Sequence, residues 1–185
     1  MNLKTRDLTL IAMFAALTAI GAFIKIPLPV VPITLQYFFC ALGALLLGAK
    51  KGALAQMLYV AVGLIGIPVF TKGGGPQYVL EPSFGYLIGF IAGAYVIGKC
   101  SENIKTLTVK NVFISCLLGL LIVYIFGCAY MYILFNFYVG KAMNVWSIVK
   151  IGVLAFIGSD LLATLMISIV AVRVVPLLRK LGYVV

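Results

Sequence analysis

Residues 63–90, GLIGIPVFTKGGGPQYVLEPSFGYLIGF, interrupt an otherwise apolar chain with a polar, glycine-rich excursion. One apolar run stops at Gly66-Ile67-Pro68. Thr71, Lys72, Gly73, Gly74, Gly75, Pro76, Gln77 and Tyr78 follow, Glu81 precedes Pro82-Ser83, and a second apolar run begins at Phe84. Consecutive glycines allow the backbone positive φ and close approach to a ligand. Pro82-Ser83 has the chemistry of a helix start, with free backbone N–H groups at its mouth. The stretch reads as the lid and wall of a small-molecule site, or as an ordinary tight loop between two membrane helices.

Outward from this loop the composition decides the class. The chain has 185 residues, is 64% hydrophobic and only 10% charged, with a mean hydropathy of +1.22. A soluble surface needs about a quarter charged residues. The chain therefore reads as a single all-α polytopic membrane domain. Six spans are expected, near residues 8–24, 34–48, 53–67, 84–97, 112–134 and 149–172,. The basic start and apolar run of the N-terminus mimic a signal peptide, but the run is long enough to span, so an uncleaved first helix is expected.

The net charge of +10 does not point to nucleic acid, because the bases lie between the apolar runs,. With the N-terminus inside, Lys4, Arg6, Lys50, Lys51, Lys99, Lys105, Lys110, Arg173, Arg179 and Lys180 fall on the inner side. Lys25, Lys72, Lys141 and Lys150 fall outside. This asymmetry places both termini in the cytoplasm and the glycine-rich loop outside. Histidine is absent from the sequence, which excludes His-based catalysis and His-metal sites. Cys40, Cys100, Cys116 and Cys128 show no CxxC spacing and read as small apolar residues, so neither a metal nor a disulfide is expected,. No GxxxxGK[ST] segment, nucleophile–base pair or inverted repeat is visible, so the chain reads as neither an ATPase, an enzyme nor an autonomous transporter,.

The first span carries Ala12, Ala15, Ala16 and Ala19, a small-residue face for close approach by another helix, either within the bundle or from a partner,. Gly85, Gly89 and Gly93 form a second such stripe. The proline-rich connector 25–32 cannot be regular helix and delivers Thr34 and Gln36 to a membrane boundary, as ligand contacts or helix caps,. Tyr138 and Trp146 suit the membrane interface,.

Asp160 is the sharpest candidate. It lies roughly eleven residues into the last expected span, or about 16 Å of helix rise, near mid-bilayer,. An ionised carboxylate there costs about 2.5–3.5 kcal/mol, so it needs a polar cavity or a partner. It either accepts N–H donors from a substrate or is protonated and bonded within the bundle. Glu81 with Tyr78, Tyr86 and Phe70 offers acidic and aromatic walls, although tyrosines also serve as interfacial anchors,. Lys72 and the amides of Gly73, Gly74 and Gly75 are the expected receivers of an anionic group,.

Taken together, Val31-Pro32-Ile33-Thr34-Leu35-Gln36, Gly66-Ile67-Pro68-Val69-Phe70 with Gly73-Gly74-Gly75, residues Pro82 to Phe90, and Gly158-Ser159-Asp160 resemble the BioY family over essentially the whole chain. That family comprises the biotin-binding membrane subunits (S-components) of energy-coupling factor (ECF) transporters. The resemblance implies a six-helix fold in a bacterial plasma membrane, with biotin bound as transported ligand on the extracellular side and no cofactor. It also implies docking of the alanine face onto a transmembrane coupling subunit that bears two cytosolic ATPases. It places the family's acidic residue on Asp160, where it would accept the ureido N–H groups, its Gln on Gln36 and its Tyr on Tyr86. One departure stands out. The family's Gly-Asp-x-x-Lys pattern is interrupted by Ser159, and its Lys position falls on Ala163, which leaves open a related vitamin or a biotin precursor.

Overall fold

The computed structural model describes residues 3–104 and 106–180. Among these, five helices are long and apolar enough to cross a bilayer: Thr5–Phe23, Gln36–Leu64, Phe84–Asn103, Val109–Tyr138 and Ile157–Leu178. In chain order the elements are α1 (Thr5–Phe23), the antiparallel strand pair β1 (Lys25–Ile26) and β2 (Ile33–Thr34), and α2 (Gln36–Leu64). A 3-10 turn (Pro76–Leu80), α3 (Phe84–Asn103), α4 (Val109–Ile133), α5 (Val145–Val149) and α6 (Ile157–Lys180) follow. α2 packs against both α1 and α3, α3 against α4, and α4 against α6.

The runs expected as separate spans at 34–48 and 53–67 are two arms of α2, folded at Gly48 (φ 78°, ψ −179°). That left-handed φ is open to glycine at no steric cost. The arms lie side by side, since a Cβ on Gly52 would stand 2.8 Å from the Ala44 Cα. At the fold, a Glu102 carboxylate oxygen accepts the Ala49 N–H at 2.8 Å, supplying the acceptor that a restarted helix lacks,. Beside it Lys51 pairs with Asp7 of α1 at 2.7 Å. The basic turn, the start of α1 and the end of α3 thus share one end of the bundle. The strand pair and the glycine-rich loop share the other, where the Lys25 ammonium donates to the Thr71 carbonyl. Lys105, counted among the inner-side bases, lies outside the described residues, as does the side chain of Arg179.

The two small-residue stripes part company. Gly85, Gly89 and Gly93 all face α4: a Cβ on Gly89 would stand 2.8 Å from the Val123 Cα, and one on Gly93 2.9 Å from the Gly119 carbonyl oxygen. On α1, Ala15 is buried in the bundle and Ala19 half-buried, whereas Ala12 and Ala16 are exposed.

The last expected span, 149–172, is broken. α5 runs into a π-helical turn (Lys150–Leu154), the chain turns at Ala155 and Phe156, and α6 starts at Ile157. Asp160 therefore stands in the first turn of a helix rather than deep inside one. The residues across the break remain apolar, so hydropathy carries no sign of it.

Replacing Gly89 by Leu is expected to push α3 off α4 and cost about 1–3 kcal/mol, read as a lower thermal midpoint in detergent. An unchanged midpoint would contradict the close packing.

Candidate functional site

At the end of the bundle that carries the loops, β2, the start of α2, the glycine-rich loop, α3, α4 and the start of α6 surround a cavity. It holds about 580 Å³ of empty space, part of it open to the exterior. Asp160 lines it, and the Tyr124 hydroxyl of α4 donates to Asp160 Oδ2 at 2.6 Å. Oδ1 accepts no hydrogen bond among the described residues. Asp160 is also in the first helical turn, where unpaired N–H groups and the helix dipole favour a negative charge,.

The opposite wall is a chain of hydrogen bonds. Thr34 Oγ1 donates to Gln36 Oε1 at 3.1 Å, Gln36 Nε2 to the Tyr59 hydroxyl at 2.8 Å, and Tyr59 to the Val69 carbonyl at 3.1 Å. Gln36 thereby joins the strand pair, both arms of α2 and the entry to the glycine-rich loop, and its own side chain borders the cavity. Above it the hydroxyls of Thr71, Tyr78 and Ser83 stand in series, at 2.8 and 3.2 Å. α3 starts directly after Pro82-Ser83, with Ser83 at the N-cap, although the Ser83 hydroxyl meets Tyr78 rather than capping the helix. The Tyr86 ring fills the space left by Gly127 and its hydroxyl donates to the Gly152 carbonyl at 2.8 Å.

The structure thus brings Thr34, Gln36, Tyr78, Tyr86 and Asp160 to one cavity. Phe70, Lys72, Gly74, Gly75 and Glu81 are not among its lining residues. Phe70 is buried behind the wall, with its ring 5.4 Å from Tyr59 and 4.4 Å from Tyr78. Lys72 and Glu81 pair with each other at 2.7 Å on the outer surface. The glycines shape the loop's own fold. Gly73 and Gly75 have φ of 112° and 107°, and a Cβ on Gly74 would stand 2.8 Å from the Ile67 carbonyl carbon.

Thr71 and Ser83, from the stretch read as lid and wall, line the cavity, and so do Tyr37, Leu120, Val123 and Tyr124, which were not foreseen. Tyr124 was hidden because a tyrosine inside an apolar run reads as another aromatic. Its place opposite Asp160 follows from how α4 and α6 pack. On the far side of Ile33, Thr34 and Asp160 lies a second recess of about 720 Å³, lined mostly by apolar residues and including Lys25 and Ala163.

Comparison with known proteins places this geometry. The BioY family model matches residues 1–180. The chain belongs to the BioY family. Among BioY relatives, the probable biotin transporter BioY of Lysinibacillus sphaericus is 42% identical, over 96% of this chain and 90% of the relative. The biotin transporter BioY of Thermotoga maritima is 39% identical, over 91% of this chain and 95% of its own. A crystal structure of the S-component for biotin from an ECF-type ABC transporter superposes with a TM-score of 0.81 at 27% identity, covering 97% of this chain and 95% of that one. This BioY-family chain is accordingly a multi-pass membrane protein.

Because Gly74 abuts backbone, Gly74→Ala is expected to destabilise the fold by about 1–3 kcal/mol. Lys72→Gln, which removes an exposed ion pair, should change stability by no more than about 1 kcal/mol. Thermal melts of the purified variants check the contrast; the reverse ranking would contradict the loop geometry.

Proposed function

We propose that this chain is the substrate-binding membrane subunit of an ECF transporter and captures biotin from the extracellular side in the cavity beside Asp160. The observation that carries the reading is the Asp160 carboxylate. It is held by Tyr124 through one oxygen and keeps the other for a ligand in a cavity at the loop end of the bundle. Biotin offers the matching group, a rigid ureido ring whose N–H donors suit a carboxylate acceptor. Thr34, Gln36, Tyr78 and Tyr86 form the walls around it, and Phe70 stiffens the wall from behind. Lys72, Gly74, Gly75 and Glu81 shape the lid above.

In this reading the two arms of α2 cross separately, the chain passes the bilayer six times, and both termini face the cytoplasm,. The glycine-rich loop and strand pair then cap the site from outside. Uptake is driven by a transmembrane coupling subunit with two cytosolic ATPases. The exposed Ala12 and Ala16 on α1 offer that subunit a smooth face, while Ala15 and Ala19 hold α1 to its own bundle,. The chain is a transport component and not an enzyme. The names of the two relatives and the solved structure above specify biotin, which speaks against a different vitamin.

Isothermal titration of the purified protein with biotin tests the reading, with saturable one-site binding expected. Asp160→Asn should weaken binding at least about tenfold, or ~1.4 kcal/mol. No heat with the wild-type chain would overturn the function, and unchanged affinity of the variant would remove Asp160 from the site.

A further inference from the structure

The glycine-rich loop was the expected receiver of an anionic group, but neither Lys72 nor Gly73, Gly74 and Gly75 line the cavity. Lys72 pairs with Glu81 at 2.7 Å. The Gly73 N–H donates to the Phe70 carbonyl at 3.2 Å, and the Gly75 N–H to the Gly63 carbonyl at 2.8 Å. No lysine or arginine is among the residues lining the main cavity. A ligand with a negative end would find no charge partner there.

One cation reaches the edge of this space from a different element. Lys25 lies on β1, paired across the ladder with Thr34, and Thr34 is a wall of both the main cavity and the second recess. The Lys25 ammonium donates to the carbonyl of Thr71, the residue whose side-chain hydroxyl belongs to the cavity's hydroxyl series. An ammonium has three donors, and Thr71 accepts one. Lys25 also lines the recess, where it is the sole cation among lining residues that include Ile24, Phe38, Leu162 and Met166. Thr34 and Thr71, which hold Lys25 through the ladder and its ammonium, both line the main cavity, as does Asp160.

We infer that Lys25 receives the anionic end of the ligand, so that the site selects a monoanion with N–H donors at one end and a carboxylate at the other. Asp160 sets the first contact and Lys25 the second. Lys25 is itself exposed, and its ammonium offers a charge-assisted bond, stronger than a neutral one,. The same ammonium ties the strand pair to the glycine-rich loop through Thr71, so ligand charge and lid position meet at one side chain. This inference rests on the biotin reading of the cavity, and biotin carries such a carboxylate.

The test is titration of the full chain in detergent with biotin and with its uncharged primary amide. The wild type should prefer biotin by about tenfold. Lys25→Gln should abolish the preference by weakening biotin while leaving the amide within about twofold, and Lys25→Arg should keep it. Equal weakening of both ligands by Lys25→Gln would make Lys25 merely structural and overturn the inference. So would loss of the preference in Lys72→Gln with Lys25→Gln unaffected, or a wild type that binds both ligands alike. A wild type that binds neither would instead overturn the biotin reading itself.

Discussion

The hydrogen bond from Tyr124 to Asp160 is the interaction on which the site depends. A carboxylate inside an apolar bundle is tolerated only when something offsets its lost hydration. Here a phenol on α4 holds one oxygen at 2.6 Å, and the break before Ile157 places the residue at the amide-rich start of α6. The break is costly on its own, since a continuous helix would satisfy its backbone internally. It is stabilised from across the bundle, where the Tyr86 hydroxyl takes the Gly152 carbonyl and the Tyr86 ring occupies the gap at Gly127. Two tyrosines on two helices therefore set where the acid stands and which way it faces.

The same logic explains the outer cover. Gln36 is more than a wall: its amide bonds Thr34 on one side and Tyr59 on the other, and Tyr59 continues to Val69. A single buried amide thus ties strand pair, both arms of α2 and loop entry into one body. Buried polar chains of this kind are favourable only when every member is paired, and this one is. The loop beyond is compact because Gly74 lies against the Ile67 and Gly63 backbone while Gly73 and Gly75 take positive φ.

Much of this was legible in the residues. A charge-poor, apolar chain dictated membrane helices, the prolines at 27–32 forbade helix there, and Gly85, Gly89 and Gly93 announced a tight helix contact. Asp160 was legible because one acid in an apolar run has to be accounted for. What stayed hidden depends on three-dimensional neighbours. The break at Ala155 and Phe156 runs through apolar residues, and Tyr124 gains meaning only opposite Asp160. The glycine triplet is ambiguous for a physical reason: positive φ serves loop closure as well as ligand approach, and the sequence does not say which,.

The most direct measurement is a structure of this chain with biotin bound. The expected result is a ureido nitrogen within about 2.7–3.2 Å of the free Asp160 oxygen, with Tyr124 still on the other. Biotin bound elsewhere, or bound in the cavity with its ureido ring beyond hydrogen-bonding reach of Asp160, would contradict the role assigned to that carboxylate.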